Sequence, residues 1–315
     1  MMLNRFIGRN LNRNLNRFAF NKSIYRNFSS LPHPPTLTKP VVSKWLYSIS
    51  GLIAGIVVIG GMTRLTESGL SITEWKPITG VYLPKSQQEW QDEFDKYKVT
   101  PEFKLMNSRI SVEDFKKIYL MEWAHRLFGR GIGIAFLFPS IYFFYKRQLS
   151  KGMKYSIGGL GLGLGFQGFL GWYMVQSGLK DENFVKPGSQ PRVSQYRLSA
   201  HLGAALALYV GTLYSALAVG RDWSYGFKNK GISGLTSSKD VESVLTNKNL
   251  KLFKLISRTG LGVVFLTALS GAFVAGLDAG LIYNEFPMMG EGLTPPLKEL
   301  FNDSYSQKSD RSDLL

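Results

Sequence analysis

The chain contains three histidines, His33, His125 and His201, and two of them interrupt apolar stretches. His125 lies in Tyr119-Leu-Met-Glu-Trp-Ala-His-Arg-Leu-Phe-Gly-Arg130, and His201 in Tyr196-Arg-Leu-Ser-Ala-His-Leu-Gly-Ala-Ala205. An ionisable side chain inside a membrane helix is costly and marks function by default. Two imidazoles facing one another across a helical bundle are what a bis-histidine haem site needs. Glu122 precedes His125 by three residues, so on a helix both point into the same space. A desolvated carboxylate there can accept a proton. The other reading is that Glu122 only pairs with Arg126 or orients an imidazole. Arg64, Arg126, Arg130 and Arg197 fall near helix ends, where guanidinium forks suit anionic propionates. Snorkelling to the membrane interface is the plainer role for any one of them. Zinc or copper would call for further ligands, and the chain has no cysteine and no other metal-binding cluster beyond Glu122.

A helix needs about 20 residues to cross a bilayer. Five segments qualify: 45–62, 119–144, 155–175, 198–219 and 259–277. The expected fold is all-α, a polytopic membrane helical bundle of about five transmembrane helices. Gly129 is four residues beyond His125, and Ala204 and Ala205 lie three and four beyond His201. Residues at those spacings share a face, so a flat macrocycle can lie against both helices. Seven glycines between Gly158 and Gly171 give the third helix a small-residue surface. That surface suits ordinary helix packing better than direct cofactor contact.

Charge sets the orientation. Lys146, Arg147, Lys151 and Lys154 form one acid-free loop, and the segment from Gly220 to Arg258 is strongly basic. By the positive-inside rule the N-terminus and both basic loops face the matrix side. His125 and His201 then enter from the opposite side, roughly 9 Å and 6 Å into their helices at the α-helical rise. The two imidazoles are thereby expected at similar depth. The net charge of +16 is scattered over loops and the N-terminus, not gathered on one face, so nucleic acid is not an expected partner.

Residues 1–40 contain no Asp or Glu, and Arg5, Arg9, Arg13 and Arg17 recur every fourth residue beside Leu3, Phe6, Ile7, Leu11, Leu15 and Phe18. This is the pattern of a mitochondrial transit peptide, with Arg26-Asn-Phe-Ser-Ser30 as the cleavage site and His33 a solvated loop residue. The expected division is transit peptide and linker 1–40, a four-helix half with both helix histidines 41–220, a basic matrix loop 221–258, a fifth helix with its following loop 259–300, and a polar tail 301–315.

Several stretches together resemble the heme A synthase family of mitochondrial cytochrome c oxidase assembly factors. They are Gly60-Gly-Met-Thr-Arg-Leu-Thr-Glu-Ser-Gly-Leu-Ser71, Met121-Glu-Trp-Ala-His-Arg126, Pro191-Arg-Val-Ser-Gln-Tyr-Arg-Leu-Ser-Ala-His-Leu202, Gly271-Ala-Phe-Val-Ala-Gly-Leu-Asp-Ala-Gly280 and Tyr283-Asn-Glu-Phe-Pro-Met-Met-Gly290. The resemblance covers about residues 41–297. It implies oxidation of a methyl group of heme O to the formyl group of heme A by successive hydroxylation. His125 and His201 would be the iron-ligating pair for the substrate haem, and Glu122 the catalytic glutamate. It also implies a multi-pass inner-membrane protein working with heme O, its synthase, the oxidase assembly machinery and inner-membrane lipid. A homo-oligomer is compatible with all of this.

The family has eight spanning helices in two related halves, and the second half carries another histidine pair for a haem b cofactor. Here no histidine follows His201. The expectation is therefore the N-terminal four-helix half plus one helix, with a substrate site and without the haem b site. A truncated gene model, a split protein and a non-catalytic haem-binding remnant are the three accounts of this. The rival function is a haem-binding assembly or electron-transfer membrane protein, which has no need of a carboxylate beside the porphyrin.

Overall fold

The computed structural model describes residues 38–179, 192–226, 248–281 and 283–294. The expected transit peptide through residue 37, its cleavage site, His33, most of the basic loop and the polar tail lie outside the described residues. Among the described residues seven helices follow one another: α1 Pro40–Leu65, α2 Gln87–Lys98, α3 Pro101–Leu105, α4 Val112–Tyr145, α5 Lys151–Leu179, α6 Gln195–Gly226 and α7 Lys248–Leu277. A short 3-10 turn, Ala279–Leu281, closes the series. Among the described residues there is no strand beyond a single bridge between Met289 and Gly292. This is a polytopic helical membrane protein.

Four helices are long and apolar enough to cross a bilayer: Pro40–Leu65, Val112–Tyr145, Gln195–Gly220 and Leu250–Leu277. The expected third span, α5, is 29 residues long but does not join them by composition. Its repeated glycines supply little hydrophobicity, although the length suffices. Helix ends also differ from the expected ones. α7 begins at Lys248, so Lys251, Lys254 and Arg258 are helical and not part of a loop. Lysine and arginine are good helix formers and lie between apolar residues there. α4 begins at Val112, 13 positions before His125, because Ser111 caps it. The Ser111 hydroxyl accepts the Asp114 N–H at 3.1 Å and donates to the Asp114 carboxylate at 2.7 Å, a capping arrangement that starts a helix in polar sequence.

The chain divides into two compact units. Among the described residues, the first takes 38–50, 136–161, 210–226 and 248–264. In it Trp45 packs against Phe136 and Phe143, both with ring centroids 5.3 Å away. The Ser43 hydroxyl donates to the Ala216 carbonyl at 2.8 Å, satisfying a polar group that lipid could not.

Among the described residues, the second unit takes 51–135, 162–179, 192–209, 265–281 and 283–294. It contains the segment between α1 and α4, which folds as a small cap. Ser86 caps α2 by accepting the Glu89 N–H, and Thr100 caps α3 by accepting the Phe103 N–H. Ile72, Phe94, Tyr97, Phe115 and Tyr119 form the cap's buried core. The Tyr97 and Phe115 rings stack at 5.2 Å, and Trp90 meets Tyr119 edge-on at 5.3 Å. Phe115 is completely buried. Phe115→Ala is expected to cost about 3–5 kcal/mol through lost contact and a residual cavity. Chemical denaturation followed by tryptophan fluorescence measures this, and a loss below about 1 kcal/mol would show that the cap contributes little to the fold.

Candidate functional site

The second unit encloses a cavity of about 650 Å³, within the usual range of roughly 300–1,000 Å³ for small-molecule and cofactor sites. His125, His201, Glu122, Arg64, Arg126 and Arg130 all line it. Most of the wall is apolar, from Ile53, Ile56 and Val57 of α1, Leu164 of α5, and Leu198 and Leu202 of α6. Arg197 is not among the lining residues. Its guanidinium lies 3.7 Å from the Tyr173 ring centroid and donates to the Tyr173 carbonyl at 2.7 Å.

Glycines stand beside both imidazoles. A Cβ at Gly60 would sit 3.4 Å from His125 Nε2, and one at Gly171 would sit 3.5 Å from His201 Cε1. His201 Nδ1 is buried without a hydrogen-bond partner. The carbonyl of His201 accepts from Gln167 Nε2 at 3.0 Å. Among the described residues, no group of three or more His, Cys, Asp or Glu is placed to hold a bare metal ion. The donor set is two imidazoles in an apolar, roomy cavity, which fits a planar macrocycle whose iron takes two axial nitrogens.

Glu122 is 2% exposed. Its Oε2 accepts from the Ser71 hydroxyl at 2.6 Å and the Ile72 N–H at 2.8 Å, and its Oε1 accepts from Arg126 at 2.6 Å. Arg126 also donates to the carbonyls of Ile72 at 3.0 Å and Glu74 at 2.9 Å, and stacks on Trp75 at 5.3 Å. Both sequence readings of Glu122 therefore share one geometry, paired with Arg126 and facing the cavity. Arg130 fills the space beside Gly80, where a Cβ would lie 2.7 Å from its guanidinium. Gly80 also has φ +74, so backbone and space both call for glycine there.

Four wall residues were not singled out by sequence: Trp75, Glu102, Arg192 and Glu67. Arg192 pairs with Glu67 at 3.2 Å and with Asp278, and Arg64 pairs with Asp278 at 3.0 Å. Burial pushes the Arg192 guanidinium down from its ordinary value. Glu102, 6% exposed, has its carboxyl pushed up to about 8, chiefly by burial and further by Glu122 and Glu67, against the opposing pull of Tyr97 and Arg192. Glu74, at the cap surface, is held down to about 2 by Lys76 and Lys96.

The fold and this cavity define a class: a multi-helix membrane protein with a pocket lined by two histidines, buried carboxylates and arginines. The family model described as cytochrome oxidase assembly protein matches residues 43–312, and the chain belongs to that family. It is 46% identical over 292 residues to heme A synthase COX15 of Saccharomyces cerevisiae, covering 90% of this chain and 59% of the yeast protein. It is 45% identical over 271 residues to heme A synthase COX15 of Homo sapiens, covering 86% and 61%. The heme A synthase of Nitrosospira multiformis is 42% identical over 266 residues, covering 84% and 66%. The chain thus spans about three fifths of the length of these eukaryotic relatives. No solved structure matches it.

Removing one partner of a buried ion pair leaves an uncompensated charge and costs about 3–5 kcal/mol. Arg126→Met is expected to lose that much stability, whereas the double change Glu122→Gln with Arg126→Met should lose much less. Denaturation of the four proteins of this cycle measures the coupling. A single-mutant cost no larger than the double's would mean that the pair does not tie α4 to the loop.

Proposed function

We propose that this chain holds heme O and takes part in oxidising one of its methyl groups to the formyl group of heme A. The observation that carries this is the apolar cavity lined by two histidines, the buried Glu122 and several arginines. The relatives' names supply the reaction. In this reading His125 and His201 ligate the haem iron, and the haem supplies both the iron and the methyl carbon that is oxidised. Arg64, Arg126 and Arg130 are the lining guanidiniums suited to propionates. Arg197, facing Tyr173, would act on the haem only after leaving that ring.

Glu122 is the carboxylate placed to answer charge at the reacting methyl. Ser71, Ile72 and Arg126 fix it, so it meets developing positive charge without reorganising. These three donors leave one of the carboxylate's roughly four lone-pair positions, on Oε1, for a proton. The same residues argue against a purely electron-transferring role, which needs no buried carboxylate at this place.

The chain is further proposed to reside in the mitochondrial inner membrane with its N-terminus in the matrix. Protease added to mitoplasts should then cut the cap, residues 66–111, and spare the basic segment around 227–247. Cutting confined to the basic segment would reverse the topology.

For the site, reconstituted protein should show a low-spin bis-imidazole spectrum, and His125→Ala or His201→Ala should turn it high-spin or lose the haem. A low-spin spectrum retained in the double mutant would remove the assignment. Glu122→Gln keeps size and removes charge. Co-expressed with heme O synthase, it should retain bound pigment, and the extracted haem should be heme O, not its oxidised products. Wild-type levels of oxidised pigment in that variant would return Glu122 to a structural role.

A further inference from the structure

Glu102 is a buried carboxyl that the proposed chemistry does not use. It sits on α3, five positions after Tyr97 of α2, and lines the same cavity as the two histidines. Pro101 at the first helical position and the Thr100 cap fix the turn that carries it. Among the described residues its carboxyl has one hydrogen-bond partner, the Tyr97 hydroxyl, which donates to Oε2 at 3.1 Å. Asn107 Nδ2 donates in turn to the Tyr97 oxygen at 2.8 Å, which leaves the tyrosine proton aimed at Glu102. Glu122 has three donors on its carboxylate; Glu102 has one. A carboxyl so placed has an open position for a proton of its own.

The charged groups facing it come from every neighbouring element. Arg64 and Glu67 lie at the end of α1, Glu122 lies on α4, and Arg192 precedes α6. Asp278, after α7, holds both arginines. Apart from Glu102 and Glu122, this mouth pairs two arginines with two acids. An anionic group passing this mouth therefore meets Arg64 and Arg192 already neutralised by Glu67 and Asp278. Its charge must be compensated within a site of low dielectric.

We propose that Glu102 is a ligand-linked proton site: an anionic ligand in the cavity holds a proton on this carboxyl to a higher pH than the carboxyl keeps one by itself. The proposal deepens the haem reading and rests on it, because haem brings two carboxylates. The sign follows from linkage. Burial pushes the carboxyl of the ligand-free protein up to about 8. A bound anion raises that value further, so binding takes up protons only above the empty protein's titration point. Affinity should be constant near pH 7 and fall as pH rises beyond about 8, by at most tenfold per pH unit for one linked proton. Protonation of free His125 and His201 weakens haem binding as pH falls, which is the opposite direction.

The test is a titration of the purified full chain in lipid nanodiscs with haem, from pH 6.5 to 9.5. Wild type should lose several-fold in affinity between pH 8 and 9.5. Glu102→Gln, neutral and of the same size, should bind with a flat profile there. Tyr97→Phe removes the donor that stabilises the anion and should move the fall to higher pH. A second measurement needs no haem: the protonated-carboxyl infrared band of the empty protein should titrate near pH 8, vanish in Glu102→Gln and persist in Glu122→Gln. An equal slope in wild type and Glu102→Gln, with haem bound, would overturn the linkage and leave the haem reading intact. Failure to bind haem at any pH would overturn both, even with the infrared band present. A missing band would overturn the linkage alone.

Discussion

A carboxylate cannot be left unpaired in a membrane helix, and the second unit is arranged around meeting that demand at Glu122. The Ser71 hydroxyl, the Ile72 N–H and Arg126 satisfy it. Arg126 in turn takes the carbonyls of Ile72 and Glu74. One buried ion pair thus fastens the segment after α1 to α4. Ile72 enters the cap's aromatic core, and Trp75 and Val81 reach the cavity wall. If Glu122 moved, the roof of the cavity would move with it. Binding geometry and cap stability are therefore one problem in this protein.

Glycine has two uses here. Beside the imidazoles, Gly60 and Gly171 keep the approach to each ring free of a side chain. In α5 the glycines lower hydropathy enough that the helix does not resemble a spanning segment by composition, although its 29 residues give it the length. Association between membrane helices depends on close packing more than on hydrophobicity. Gly163 illustrates this, because a Cβ there would fall 2.7 Å from Leu208. A helix can thus belong to the bundle because it is small, without being strongly apolar.

The site's histidines were legible because each is polar in an apolar run, and Glu122 because it lies one helical turn from one of them. The existence of the long helices was legible from length alone. Their ends were not, since α4 and α7 continue through Glu113, Lys116, Lys251 and Lys254, where capping and propensity extend a helix past its apolar run. The cap was opaque because Phe94, Tyr97, Phe115 and Tyr119 are spread through charge-balanced sequence and meet only in three dimensions. Glu102 and Arg192 were missed for the same reason. Their burial is set by neighbours distant in the chain, and Pro-Glu-Phe-Lys looks like any exposed turn. The place of Arg197 against Tyr173 likewise follows from packing that helix-end position does not reveal.

Glu67 and Asp278 adopt φ values of 50 and 51, each just past the end of a long helix. This is the left-handed position that normally goes to glycine, and an ordinary side chain there costs roughly 1–2 kcal/mol. Both acids are the ion-pair partners of the cavity arginines. Backbone strain and charge compensation therefore pull these two positions in opposite directions. Glycine at either position would relieve that backbone cost and keep every helix, but unpairing a largely buried arginine costs more, about 3–5 kcal/mol. Glycine at both would leave Arg64 and Arg192 without counter-charges, and the cavity mouth would become strongly cationic. The strained acids mark where the sequence has settled for a less stable backbone in order to control which charges the cavity admits.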